Sequence, residues 1–383
     1  MSNTFSFSKE ESLRYSRHFV LPGFGQDAQI KLKQAKVLVI GAGGLGCPVL
    51  QYLTAAGVGT MGIVDHDVVS LSNLQRQILF TTEDVGKSKA RIAASRLSLL
   101  NPHVQFIAHE LKLIAENILS LIEGYDLLID CTDNFPTRYL VNDACVLSNK
   151  PFVYGSIFRY EGQVAVFNFK DGPNYRDLFS HPPAPGTVPD CETGGVLGVL
   201  AGIIGSMQAG EAIKIITGIG EPLAGKLLLY DSLTSETTII HVPDRNQKEI
   251  ITTLIDYDDF CGLSQKKNKS SGIENNSFMK EVTVQELKQL KDSNTDFQLI
   301  DVREPHEYDI CDIGGELIPM ADIPNHVDQI AKDKQVIIHC RSGKRSGDIL
   351  LWLEKNHNLE NLYNLKGGIL AWAKEIDPSM PTY

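Results

Sequence analysis

A chain of 383 residues is long enough for two or three domains and at least one large core. Its 43% hydrophobic and 22% charged content suits a globular protein, and a formal net charge of −11 argues against a surface built to hold nucleic acid through phosphates. Seven cysteines, an odd number with no CxxC spacing, argue against a secreted disulfide framework and for a reducing, cytoplasmic setting.

The N-terminal MSNTFSFSKEESLRYSR is polar and carries no apolar signal core. The run KVLVI (36–40) reads as a strand, followed by a glycine turn and a helix over Cys47 to Ala56. TMGIV (60–64) is a second strand ending at Asp65, and DLLIDC (126–131) a third, with a helix over Pro136 to Ser148 behind it. This alternation predicts an α/β fold with a doubly wound, mainly parallel Rossmann-like sheet and a ligand at the carboxyl ends of its strands. QVAVFNF (163–169), KLLLY (226–230) and TTIIH (237–241) read as later strands. The uncharged run from Gly194 to Gly210 continues into Glu211 and Lys214, and reads as a buried helix rather than a membrane span.

Ser264 to Ser277, SQKKNKSSGIENNS, holds one apolar residue in fourteen and cannot bury enough surface to fold. It divides the chain into domains at 1–263 and 278–383, joined by a flexible linker over 264–277. As a coil it reaches about 20 Å. The second domain is again α/β, with strands FQLIDV (297–302) and QVIIHC (335–340), a helix over Ser346 to Lys355 and a shorter one after Gly367–Gly368.

The first chemical motif is Gly41-Ala42-Gly43-Gly44-Leu45-Gly46, a GxGxxG between strand and helix. Glycines permit the tight turn and let backbone amides approach phosphate oxygens. With Asp65 as a ribose acceptor, this pattern alone points to a dinucleotide oxidoreductase. The polar segment Asp65 to Gln77, containing Ser72-Asn73-Leu74-Gln75-Arg76, is instead what a triphosphate needs, because Arg and amide donors neutralise and orient it. Lys89 adds a cation, and Asp133 in Cys131-Thr132-Asp133-Asn134 is placed to hold Mg²⁺ or to cap the following helix. There is no GxxxxGK[ST], so a P-loop is excluded.

Together, GAGGLG, the SNLQRQ block and CTDN resemble the MoeB/ThiF/HesA adenylyltransferases, relatives of the ubiquitin-activating enzyme, over residues 1–262. The resemblance implies ATP-dependent adenylation of the C-terminal glycine of a ubiquitin-like sulfur carrier, MoaD- or ThiS-like. It implies that Gly44 and Asp65 hold adenosine, that Asn73, Arg76 and Lys89 bind phosphates, and that Asp133 binds Mg²⁺. It further implies a homodimer in which Arg17 enters the partner's site. Cys191 lies where some members carry a reactive cysteine, and a thiolate there would attack the acyl-adenylate or accept sulfur. One departure stands out. Where many members have two CxxC pairs binding zinc, this chain reads Asn174, Asp177, Asp258 and Cys261, so no zinc is expected.

The second motif is His339-Cys340-Arg341-Ser342-Gly343-Lys344-Arg345-Ser346, between a strand and a helix. Backbone N–H groups and three cations around Cys340 favour a thiolate. A tyrosine-phosphatase loop needs Arg six residues after Cys, and Ser346 occupies that place. Residues 278–383 resemble rhodanese through Asp301-Val302-Arg303-Glu304, Gly314-Gly315-Glu316 and Gly367-Gly368-Ile369-Leu370-Ala371-Trp372. That resemblance implies a Cys340 persulfide, loaded from thiosulfate or a cysteine desulfurase persulfide. The combined expectation is carrier adenylation followed by sulfur transfer toward a thiocarboxylate, for molybdopterin, thiamine or tRNA thiolation. The competing expectations are passage of the carrier to lysines through a Cys191 thioester and a dinucleotide-dependent oxidoreductase.

Overall fold

The computed structural model describes residues 6–183, 195–242, 251–262, 279–293 and 295–382, so the linker at 264–277 and Cys191 lie outside the described residues. The chain divides into two compact units, Met1–Ser270 and Ser271–Tyr383.

In the first unit eight strands form one sheet: β1 (Lys36–Ile40), β2 (Thr60–Val64), β3 (Gln105–His109), β4 (Leu127–Asp130), β5 (Phe152–Phe158), β6 (Glu161–Phe167), β7 (Lys226–Asp231) and β8 (Thr237–His241), in the order β3-β2-β1-β4-β5-β6-β7-β8. The first five are parallel. From β5 onward the pairing turns antiparallel. Residues 37–40 and 127–130 are buried throughout, as expected of parallel strands covered on both faces. One face packs on a core containing Leu32, Leu50, Ala93 and Ile204, which brings in the helices Gly25–Gln34, Gly46–Ala56, Lys89–Leu100 and Gly198–Thr217. The other packs on Ile118, Tyr139, Tyr175 and Tyr257, from four further helices. The sheet is therefore doubly wound, as the alternation predicts.

The helix Gly198–Thr217 is long and apolar enough to cross a membrane by length and composition alone. Here it is a core helix. Leu200, Ala201, Ile204, Ala209 and Ala212 are buried, and Gly205 lies so close to the Leu45 carbonyl that a Cβ would come within 2.5 Å. At the far edge, all five residues of β8 are exposed, including Ile239 and Ile240.

The second unit is a five-stranded parallel sheet of β9 (Glu281–Val282), β10 (Phe297–Asp301), β11 (Glu316–Leu317), β12 (Gln335–His339) and β13 (Leu362–Leu365), ordered β11-β10-β12-β13-β9. Its helices include Val284–Asp292, Lys344–His357 and Gly368–Glu375.

Candidate functional sites

Beyond β1 the chain turns through Gly41 at φ +93°. A Cβ there would sit 2.9 Å from the Cys131 carbonyl oxygen, and one on Gly46 would sit 2.0 Å from the Gly41 oxygen. Both positions therefore need glycine. Gly44 faces Arg76, whose Cγ would lie 3.5 Å from a Cβ, and Gly43 faces Gln77 Nε2 at the same spacing. The Ala42 N–H donates to Asp65 Oδ2 and the Asp67 N–H to Asp65 Oδ1, each at 2.8 Å. Asp65 thus fastens the glycine loop to the end of β2, and each carboxylate oxygen keeps lone-pair capacity for a hydroxyl. Burial raises the Asp65 pKa, opposed by the nearby Lys89 charge. Lys89 is itself buried, with Nζ 3.1 Å from Asp67 Oδ2.

The segment after Asp65 wraps the loop. A 3₁₀ turn over Leu71–Asn73 lets the Asn73 carbonyl accept from the N–H groups of Arg76 at 3.1 Å and Gln77 at 3.0 Å. Arg76 Nη1 donates to Ser72 O at 3.3 Å. Leu74 packs on the core, while Ser72 and Gln75 are exposed. Gln77 is buried and its Oε1 has no partner among the described residues.

At the end of β4, Asp130 is fully buried and its Oδ1 accepts from the Thr132 N–H at 2.9 Å and hydroxyl at 2.6 Å. Arg138 supports the same turn by donating to Thr132 O at 3.0 Å, its guanidinium lying over the rings of Phe135 and Tyr154. Asn134 caps the helix Phe135–Leu147, accepting from the Thr137 N–H at 3.0 Å. The capping role weighed for Asp133 thus falls to its neighbour, and Asp133 is exposed. Gly41, Asp65, Asp133 and Asn134 line one cleft of about 790 Å³, whose apolar wall includes Leu113 and Leu254. Arg76 and Lys89 meet the loop at Gly44 and Asp67 without lining that cleft, and Arg17, exposed on the helix Ser16–Phe19, does not line it either.

In the second unit Cys340 follows β12 and is 1% exposed. Its Sγ accepts from the Gly343 N–H at 3.2 Å and lies 3.4 Å from Ser346 Oγ. Gly343, at φ +88°, opens the helix Lys344–His357. The loop is pinned from below, because Ile369 N–H donates to Cys340 O at 2.9 Å and Gly368 approaches that oxygen too closely for a Cβ. Arg345 makes two 2.6 Å bonds to the Glu307 carboxylate, so this loop cation is charge-paired. Beneath lie a buried Asp301–Arg303 pair and His339, whose Nε2 is 3.7 Å from Asp301 Oδ2. Burial pushes the His339 pKa down to about 4.

Comparison with known proteins fits this division. The ThiF family matches residues 15–251 and the rhodanese-like domain matches residues 283–375. The chain belongs to the ThiF family. It is 47% identical, over 99% of its own length and 97% of the relative's, to a probable adenylyltransferase/sulfurtransferase MoeZ of Mycobacterium tuberculosis. It is 40% identical, over 99% of its length and 88% of the relative's, to the adenylyltransferase and sulfurtransferase MOCS3 of Danio rerio. A crystal structure of E. coli MccB shares the fold, with a TM-score of 0.55 and 23% identity over 62% of this chain and 73% of that one. The protein is thus an adenylyltransferase with sulfurtransferase activity, built as a ThiF domain followed by a rhodanese-like domain.

Within the ThiF domain, three of the four residues that depart from a zinc-binding set have other roles in the fold. Asn174 and Asp177 cap the turn Tyr175–Leu178, and Cys261 is buried in the second core. Between them Arg176 makes bonds of 2.7 and 2.8 Å to the Asp143 carboxylate, which also accepts the Tyr257 hydroxyl at 2.7 Å. The guanidinium lies over Tyr139 and Phe260. In the rhodanese-like domain, sequence reasoning did not single out Asn364, Glu307 or the hydroxyl of Ser346 as site groups. Glu307 lies in the stretch from Asp301 to Tyr308 that resembles the start of rhodanese, where nothing local marks it as a partner of Arg345, and Asn364 comes from a strand remote from the cysteine loop, so no local motif marks it.

Proposed function

We propose that this protein adenylates the C-terminal glycine of a ubiquitin-like sulfur carrier and then delivers sulfur from Cys340 toward a carrier thiocarboxylate, serving molybdopterin or thiamine synthesis. What carries the reading is the presence in one chain of a nucleotide cleft formed by Gly41, Asp65 and Asp133, and a separate cysteine cradle around Cys340. The carrier carboxylate attacks the α-phosphorus of ATP, and pyrophosphate leaves with its electron pair, giving an acyl-adenylate. The terminal sulfur of a Cys340 persulfide, loaded from thiosulfate or a cysteine desulfurase persulfide, attacks the acyl carbon and AMP leaves. A thiol attacking Cys340 Sγ then releases the thiocarboxylate and remains in a disulfide with Cys340.

In this reading Asp65, at the cleft, is the ribose acceptor, and Asn73, Arg76 and Lys89, beside the glycine loop and Asp67, orient the phosphates. Asp133 would hold Mg²⁺. A single exposed carboxylate at the cleft suits an ion ligated mostly by phosphate oxygens and water. When bound, the ion would neutralise charge developing on the leaving pyrophosphate. Arg17, exposed on its short helix, is available to a partner's site in a homodimer. The Arg176–Asp143–Tyr257 network supports the reading that no zinc is used. The six described cysteines are unpaired, which supports a cytoplasmic setting. ATP–pyrophosphate exchange with purified carriers ending in Gly-Gly tests the first step, and absence of exchange with every such carrier would reject it. Cyanide-dependent sulfur transfer from thiosulfate is expected to vanish in Cys340→Ala.

A further inference from the structure

Ser346 Oγ lies between two groups that compete for its one proton. It is 2.7 Å from Asn364 Oδ1 and 3.4 Å from Cys340 Sγ. The Asn364 amide orientation is fixed by its other end, since Nδ2 donates to the Gly343 carbonyl at 3.0 Å. Asn364 Oδ1 therefore faces Ser346 as an acceptor. A hydroxyl has one proton to give. While Ser346 gives it to Asn364, its oxygen can only accept from Cys340, which suits a thiol S–H. Once Cys340 is a thiolate or persulfide, the favourable arrangement reverses, and the hydroxyl turns to donate to sulfur. Ser346, Asn364 and Cys340 are all at most 2% exposed, so water does not readily substitute for either bond.

We propose that Ser346 and Asn364 form a two-position hydrogen-bond switch around Cys340, which makes both of them positioning residues for sulfur transfer; this rests on the reading of Cys340 as the sulfur carrier. In the resting thiol, Asn364 holds the Ser346 proton. In sulfur loading from thiosulfate, the thiol proton leaves to solvent, the thiolate attacks the outer sulfur, the S–S bond breaks and sulfite departs with its electron pair. The Ser346 hydroxyl then adds a second donor to the sulfur anion beside the Gly343 N–H. Asn364 opposes that turn and Ser346 completes it, so their removal acts in opposite directions on the thiol.

Other charged groups near Cys340 are His339, the Asp301–Arg303 pair, Arg341, Lys344, and Arg345 with Glu307. None of these is altered by substitution at Ser346 or Asn364. Cys340 also belongs to the buried apolar cluster that includes Ile300, Val302 and Ile338.

The test is the pH dependence of Cys340 modification in the full chain by methyl methanethiosulfonate, with the site read by mass spectrometry. In Ser346→Ala the apparent thiol pKa is expected to rise by about one unit, and Ser346→Thr is expected to restore it. In Asn364→Ala it is expected to fall. Shifts of the same sign in both, or unchanged profiles, would overturn the switch. Should Asn364→Ala not fold, an unshifted Ser346→Ala profile would overturn it equally. Retained cyanide-dependent sulfur transfer in Cys340→Ser would instead overturn the underlying assignment of Cys340.

Discussion

Asp130, Asp133 and Asn134 stand within five positions of one another and do three different things. Asp130 is buried and shapes the turn through Thr132, Asn134 caps a helix, and Asp133 is left exposed at the cleft. We therefore expect Asp133→Asn to lower ATP–pyrophosphate exchange on the order of 100-fold while leaving cyanide-dependent sulfur transfer unchanged. Asn134→Ala is expected to act mainly on stability, by about 1 kcal/mol in urea unfolding, because what it removes is the cap. The glycine loop was legible in the sequence because its pattern is compact and Gly46 packs on Gly41 within it, although the approach of Gly41 to Cys131 is made only when β1 pairs with β4. The division of labour between Asp133 and Asn134 was not, since either side chain is a competent cap and only the helix start decides.

At the scale of elements, the paired apolar runs β1, β2 and β4 were evident, whereas β3 and β5 were not. Gln105–His109 is an edge strand with no buried residue, and its apolar run is confined to Phe106-Ile107-Ala108. Phe152–Phe158 carries Gly155 in its middle, which a sequence reading takes as a break. The structure shows why it is glycine: a Cβ would come within 2.3 Å of the Gln208 side chain of the core helix. The Arg176–Asp143–Tyr257 network illustrates the same limit, because its members are contributed by three separate helices. Asp143→Ala removes the carboxylate that the buried Arg176 guanidinium meets at 2.7 and 2.8 Å. We expect a loss of about 3–5 kcal/mol, measured by urea unfolding of the full chain followed through the ThiF domain. Replacing both charges, with Asp143→Leu and Arg176→Met, is expected to recover most of it. Metal chelators are expected to leave the melting temperature of the wild-type protein unchanged.

On the scale of the whole molecule, each unit has its own sheet and its own buried ionisable groups, so each responds to pH in its own way. His339 shows the sign. Its folded pKa is lowered from 6.5 to about 4, so the unfolded chain takes up a proton first as pH falls. Stability from this group is complete above pH 6.5 and is lost between pH 6.5 and about 4, with no further loss below. The difference corresponds to about 3 kcal/mol. We expect the rhodanese-like domain to lose stability over that window in thermal melts, and His339→Leu to flatten the slope. The two-domain arrangement and its two chemistries could be read from the sequence because each motif sits on a strand-to-helix turn. The ionic groundwork beneath Cys340 could not, since Asp301 and His339 meet only when β10 and β12 pair.

The far edge of the larger sheet carries a practical consequence. Strand β8, TTIIH, ends the sheet with its outer backbone groups unclaimed by a ninth strand among the described residues, and with Ile239 and Ile240 exposed. It contains no lysine, glutamate or proline of the kind that blunts such edges. In refolding or overexpression, this strand is prone to recruit another chain edge to edge. Aggregation during production is therefore expected to fall in Ile239→Lys, measured as the soluble fraction after refolding.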